Sequence, residues 1–349
     1  MQPFLSRFLR LSAWTVAVLT AICLAASLPA AEPQATAAQR IPVILDTDIG
    51  DDIDDTWALG LLLQCPELDL KLVVGDYGRS QYRARLLAKL LVEMGRPSIP
   101  IGVGMEVPGV GGVESQGKWL GDYDLKSYPG KVHADGVQAL VDAIMQSPEP
   151  VTLIAIGPLP NVAAALAREP RIAQRTRFVG MHGSVRRGYG GSTNVAAEWN
   201  VKCDPRAAQQ VFSAPWEMVI TPLDTCGVLD LYGEQYVRVR DSSARVARTV
   251  MANYQVWAAA RSDLAPKQIR ERSSTLFDCV AVYLAIKEDY CRMEPLKLRV
   301  TDDGFTRLDP AGKTVSTATA WQDLPGFREW FVRRLTEAPE PTPAGGSSP

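Results

Sequence analysis

From residue 41 to residue 224 the chain alternates apolar, strand-like runs with segments of helical period. "IPVILDTD" (41–48) leads to "DTWALGLLLQ" (55–64), and "LDLKLVVGD" (68–76) leads to a helix around 79–95. In that helix Leu86, Leu87, Leu90, Leu91 and Met94 make one apolar stripe. "SIPIGVG" (98–104) opens a Gly-rich loop, "MEVPGVGGVESQGKW" (105–119), and "GVQALVDAIMQ" (136–146) is a helix before the strand "PVTLIAIG" (150–157). The alternation continues through "NVAAALARE" (161–169), "RFVGMHG" (177–183), "DPRAAQQVF" (204–212) and "EMVITPLD" (217–224). Strands apolar on both faces and joined by helices predict an α/β fold. It is a single domain with an open, mainly parallel sheet covered by helices on both faces. Residues 233–290 read as mostly helical, and "LKLRVTDDGFTRLD" (296–309) as a late hairpin turning at "DDG". Ligands of such sheets bind beyond the carboxyl ends of the strands.

The ends of the chain lie outside this pattern. Arg7 and Arg10, the run "LSAWTVAVLTAICLAA" and the small residues "SLPAA" have the order of a secretory signal peptide over residues 1–31. This implies a secreted or periplasmic protein. The run is short for a membrane span, and Ile22 before Cys23 argues against a lipoprotein signal. "EAPEPTPAGGSSP" (337–349) has the composition of a disordered tail, leaving residues 40–336 for the α/β domain. A formal net charge of −2 without a basic, aromatic-bearing cluster argues against a nucleic acid partner. No later run is long enough for a membrane. Cys65, Cys203, Cys226, Cys279 and Cys291 are scattered at spacings of neither a disulfide framework nor a zinc site. The only histidines, His133 and His182, make a zinc hydrolase a poor fit.

Where the first strand meets its helix, six aspartates fall within ten positions: Asp46, Asp48, Asp51, Asp52, Asp54 and Asp55. Two carboxylates 4 Å apart repel by roughly 4 kcal/mol at an effective dielectric near 20. Asp46 and Asp48 share a strand face, Gly50 permits a tight turn, and Asp54 or Asp55 starts a helix whose free N–H groups favour an acid. Capping accounts for one or two of the six. An EF-hand loop counted from Asp46 would put Trp57 at its acidic twelfth position, and Gly50 breaks the DxDx[TV] phosphotransferase pattern. The remaining reading is a hard cation held by oxygen ligands.

"ILDTDIGDDIDDTWAL" (44–59) resembles the N-terminal signature of the nucleoside hydrolases, the inosine–uridine-preferring N-ribohydrolases. Three further blocks resemble that family in order: "LIAIGPLPNVAAAL" (153–166), "AAEWNVKCDPRAA" (196–208) and "TLFDCVAVYLA" (275–285). The resemblance implies calcium-dependent hydrolysis of the N-glycosidic bond of a small-molecule ribonucleoside, giving ribose and free base. It implies that Asp48 is both calcium ligand and general base. Asp55, Asp278 and the backbone carbonyl of Ile156 are further ligands, and Asp54, Asp76, Asn194, Glu198 and Asn200 contact the ribose. Three departures stand out. Two extra residues after Gly50 let Asp51 and Asp52 compete for the roles of Asp54 and Asp55. The Asn expected upstream of Glu198 is displaced, Asn194 being nearest and Ser192 the ungapped match. Phe277 replaces the histidine that precedes the late aspartate. A noncatalytic, calcium-dependent sugar- or nucleoside-binding protein on the same fold is the alternative.

Other residues have simpler readings. Trp199 is weighed as core first and base-stacking platform second, and His182 stands evenly between site and loop packing. His133 reads as the lead-in to a helix, Asp204 as an N-cap, and Arg186 and Arg187 as a solvated loop. A homo-oligomer, dimer or tetramer, stays open.

Overall fold

The computed structural model describes residues 40–106, 114–261 and 266–337. The expected signal peptide, the tail beyond Glu337 and the middle of the Gly-rich loop lie outside the described residues. Among those described, ten strands make one sheet: β1 (Ile41–Thr47), β2 (Leu68–Gly75), β3 (Ile101–Val103), β4 (Val132–His133), β5 (Val151–Ala155), β6 (Thr176–Met181), β7 (Glu217–Thr221), β8 (Cys291–Val300), β9 (Thr306–Leu308) and β10 (Lys313–Trp321). Their order is β4-β3-β2-β1-β5-β6-β7-β10-β8-β9. Every pair from β4 to β10 is parallel, while β8 runs antiparallel to both of its neighbours.

The apolar runs are near-continuous because both faces of the sheet are covered. Val43 and Leu45 of β1 enter one core and Ile44 enters the other, as a period of two requires. The first core takes the stripe Leu86–Met94 and the helices Asp54–Leu63, Arg245–Ala259 and Leu324–Thr336. The second takes the helices Gly136–Gln146, Pro160–Arg168 and Pro205–Ser213. All ten residues of Asp54–Leu63 are buried, the condition of a helix apolar all round. Its Trp57 packs against Tyr254 and Phe331 at centroid distances of 5.9 and 6.3 Å. From β1 the chain adds β2, β3 and β4 on one side, then returns to place β5 on the other. The order therefore reverses at β1, and a crevice opens there at the strands' carboxyl ends.

The late hairpin is present as β8 and β9, with Val300 opposite Thr306 around the Asp302–Gly304 turn. Among the described residues the long segment 233–290 holds four helices, Gly233–Arg240, Arg245–Ala259, Pro266–Glu271 and Cys279–Leu284. His133 ends the edge strand β4 and leads, two residues on, to Asp135, the N-cap of the helix Gly136–Gln146. Sequence patterning missed β10, "KTVSTATAW", because its inward positions include hydroxyls. Thr317 is fully buried and donates to the Val315 carbonyl at 3.1 Å. No described helix is long and apolar enough to cross a membrane.

His182 settles on the packing side of its two readings. It follows Met181 at the end of β6 and turns to the opposite layer, against Phe178 and Phe212 at 5.9 and 6.3 Å. The ring is fully buried, with Nε2 3.0 Å from the Gly157 carbonyl and no partner at Nδ1. A carbonyl only accepts, so the neutral ring carries its proton on Nε2. A second proton would place unpaired charge in an apolar core, and burial pushes the imidazole down to about 4. The unfolded chain takes up that proton near pH 6.5, so stability is lost as pH falls from there towards 4. Relative to His182→Gln, the wild type should lose about 2 kcal/mol between pH 7.5 and pH 5. Urea unfolding of both proteins at the two pH values checks this, and parallel losses would contradict it.

Candidate active site

β1 delivers Asp46, Thr47 and Asp48 to the crevice. The turn after it has no ladder or helix to satisfy its carbonyls, and distant side chains meet them instead. Arg83 Nη1 donates to the carbonyls of Asp48 and, at 2.9 Å, Ile49. Tyr82 Oη donates to Gly50 at 3.2 Å, Trp257 Nε1 to Asp51 at 3.0 Å and Gln116 Nε2 to Asp52 at 2.8 Å. Gly50 sits at φ +121°, where a side chain is strained, which is how the chain reverses within so few residues. The turn ends in the buried helix Asp54–Leu63, so Asp54 and Asp55 arrive at the same place from inside the fold. Asp278, just before the helix Cys279–Leu284, arrives from the far end of the sequence.

Carboxylate oxygens of Asp54, Asp55 and Asp278 lie within 4.8 Å of one another, and all three residues are buried. Each ionised pair at that spacing costs roughly 3.5 kcal/mol at an effective dielectric near 20. Burial first, and then neighbouring carboxylate charge, pushes all three well above the usual carboxylate range. Thr47 Oγ1 donates to Asp55 Oδ1 and accepts the Ile49 N–H at 3.2 Å, which orients one member. Burial also lifts Asp48 to about 7 against the pull of the Arg83 guanidinium. A buried, all-oxygen donor set carrying uncompensated negative charge fits a hard divalent cation. Asp51, of the same turn, has Oδ2 3.1 Å from Arg83 Nη2.

The opposite wall comes from β5, β6 and the helix Trp199–Cys203. Glu198 caps that helix, accepting the N–H groups of Asn200 at 2.7 Å and Val201 at 3.3 Å, and also that of Gly183 at 2.9 Å. Burial raises its carboxyl to about 7 even against those three donors. Asn200 Nδ2 donates to the carbonyls of Ile156 and Met181, both at 3.0 Å. At Gly157 a Cβ would stand 2.8 Å from the Asp48 nitrogen and 2.9 Å from Asp48 Oδ1, so any larger residue there would displace the carboxylate.

These groups line a cavity of about 420 Å³, a size suited to a small-molecule ligand. Of the residues singled out from sequence, Asp48, Asp51, Asp52, Asp54, Asp55, Ile156, Glu198, Asn200, Phe277 and Asp278 line it. Asp76 and Asn194 do not. Asp76 is wholly buried next to Asp46, whose Oδ2 accepts from Asn161 Nδ2 at 3.0 Å, and Asn194 is exposed on its loop. The Asp76 carboxyl is pushed well up by burial and by the charge of Asp46. Trp199 is 53% exposed and lines the cavity, which corrects its core reading. Asp204 is an N-cap, accepting from the Ala207 N–H at 3.0 Å, and Arg186 pairs with Glu294 at the surface.

Sequence reasoning passed over Tyr189, Met181, Ser115 and Arg261, which complete the lining, and Arg83. Arg83 had a signal: it lies three, four and seven residues before Leu86, Leu87 and Leu90, a lone charge on an inward face. Tyr189 lies in a Gly-rich loop without periodicity, where pattern carries no information.

The profile of the family described as "Inosine-uridine preferring nucleoside hydrolase" matches residues 43–328. A non-specific ribonucleoside hydrolase RihC of Escherichia fergusonii is 30% identical over 316 residues, spanning 86% of this chain and 99% of its own. Among solved structures, the plant nucleoside hydrolase PpNRh1 superposes with a TM-score of 0.73 at 19% identity, over 86% of this chain and 100% of its own. The purine-preferring ribonucleoside hydrolase from Gardnerella vaginalis does so with a TM-score of 0.70 at 23% identity, over 84% and 98%. With a sheet whose order reverses at an aspartate-rich strand end and a family match over residues 43–328, this chain belongs to the inosine-uridine preferring nucleoside hydrolases, glycosidases acting on N-glycosyl bonds.

Proposed function

We propose that the chain hydrolyses the N-glycosidic bond of ribonucleosides with the help of calcium, Asp48 serving as general base. The observation that carries this reading is the convergence of the Asp54, Asp55 and Asp278 carboxylates beside Asp48 in a nucleoside-sized cavity. Asp48, Asp55, Asp278 and the Ile156 carbonyl hold the ion. Calcium, when bound, contributes positive charge that makes a neighbouring water easier to deprotonate and anchors vicinal sugar hydroxyls. Asp48, fixed by Arg83 on its own carbonyl and by its close fit against Gly157, takes a proton from the attacking water. Asp54 and Glu198 stabilise the positive charge that develops on the sugar as the bond breaks. Asn200, its amide nitrogen tied to two carbonyls, offers Oδ1 to a ribose hydroxyl.

Purified protein lacking residues 1–31 should release reducing sugar from a panel of ribonucleosides. Asp48→Asn should keep the fold and lose at least ~10²-fold in turnover. Near-normal turnover in that variant would mean that another group takes the proton.

Binding of calcium to the folded state alone must also raise stability by mass action. At a concentration about 100-fold above its dissociation constant the gain is about 2.7 kcal/mol, or roughly 5 °C in melting temperature. Thermal melts with chelator and with added calcium measure it, and an unchanged midpoint would remove the ion from the reading. The leader pattern supports export as well. Amino-terminal sequencing of the protein from its native cells should begin near residue 32, whereas a start at Met1 would contradict export.

A further inference from the structure

As the glycosidic bond breaks, the base departs with the electron pair, and the carboxylates around the sugar offer no help at that end. Phe277 has no proton to donate. His182 packs in the opposite core layer, and His133 lies on the edge strand β4. Tyr189, by contrast, lies on the cavity wall with its ring edge-on to Phe277, centroids 6.0 Å apart at 83°. Its hydroxyl oxygen accepts the Trp199 N–H at 2.9 Å, while Glu198 takes the next two N–H groups of the same helix. The phenol oxygen is thereby pinned one residue from a carboxylate that faces the sugar. Among the described residues no acceptor takes the phenol's own proton. A hydroxyl that accepts from an N–H is polarised into a stronger donor. Burial and the nearby Glu198 charge raise the phenol pKa, so the proton stays in place over the whole working range.

We propose that Tyr189 Oη is the hydrogen-bond donor to the leaving base, filling the role left vacant at Phe277. This rests on the N-ribohydrolase reading above. The C1′–N bond breaks and its electron pair passes to the base nitrogen. The Tyr189 O–H donates to a ring nitrogen or carbonyl oxygen of the base and keeps its proton. Water gives its hydroxide to C1′ and its proton to Asp48, and that proton returns through solvent to the free base. Phe277 and Trp199 supply apolar surface for the ring, and base stacking on aromatic groups tolerates every base.

Tyr189→Phe keeps the ring and removes only the donor. It should lower kcat/KM on uridine and inosine at least tenfold more than on p-nitrophenyl riboside, whose leaving group needs no stabilisation. Its melting temperature should stay near that of the wild type. Equal losses on all three substrates would make Tyr189 a cap of the Trp199–Cys203 helix and overturn the proposal, as would no loss on any. A wild-type protein that releases ribose from none of them overturns the hydrolase reading itself, and this inference with it.

Discussion

The turn at residues 48–52 is the constraint on which the site depends. Five successive carbonyls there point away from any regular structure, and a buried carbonyl without a partner costs about 1–3 kcal/mol. Arg83, Tyr82, Trp257 and Gln116 meet all five, from two helices and the latter part of the Gly-rich loop. Each donor is itself held: Arg83 is almost wholly buried and also donates Nε to the Tyr77 carbonyl at 2.9 Å, and Trp257 stacks on Tyr254 at 5.8 Å. The position of Asp48 therefore depends on the packing of helices far from it in sequence.

The same turn answers the electrostatic problem in part. Arg83 sets one buried guanidinium among Asp48, Asp51, Asp55 and Asp76, and their combined charge outweighs its own burial and raises its pKa. One cation does not balance so many acids. Carboxyls near neutral range, as at Asp48 and Glu198, are the expected result of burial without enough counter-charge. That imbalance costs stability in the metal-free chain, and proteins keep such strain where the deficit is met by a ligand. The two residues by which this turn exceeds the family signature fit the same logic. Asp51 goes to Arg83 and the carbonyl of Asp52 to Gln116, so the longer turn still delivers Asp54 and Asp55 to the cavity.

Much of this was legible in the sequence. Strand–helix alternation gave the parallel sheet because residues buried on both faces leave a continuous apolar run, and the aspartates marked the switch point because charge at a strand end is costly without a purpose. The register that puts Asp54 and Asp55 ahead of Asp51 and Asp52 could be argued from "TWAL", whose Trp57 anchors the helix in the core. What stayed hidden depends on partners distant in sequence. β10 reads as polar until its threonines find carbonyls, and Asp76 resembles Asp48 in its setting until β2 places it behind the cavity beside Asp46. Trp199 read as core because large aromatic side chains are mostly buried. Its neighbours Asn200 and Val201 are the ones buried.

The two ends of the cavity are built differently. At one end the groups sit at strand ends or on buried helices, with Asp48, Asp54, Asp55, Glu198 and Asn200 all buried and Asp55, Glu198 and Asn200 held by hydrogen bonds. Little order remains to be imposed when a ligand arrives, so binding there is preorganised. At the other end Tyr189 and Trp199 are half exposed and, with Phe277, present aromatic surface. A rigid, polar, buried wall thus stands beside a more exposed aromatic one within a single cavity.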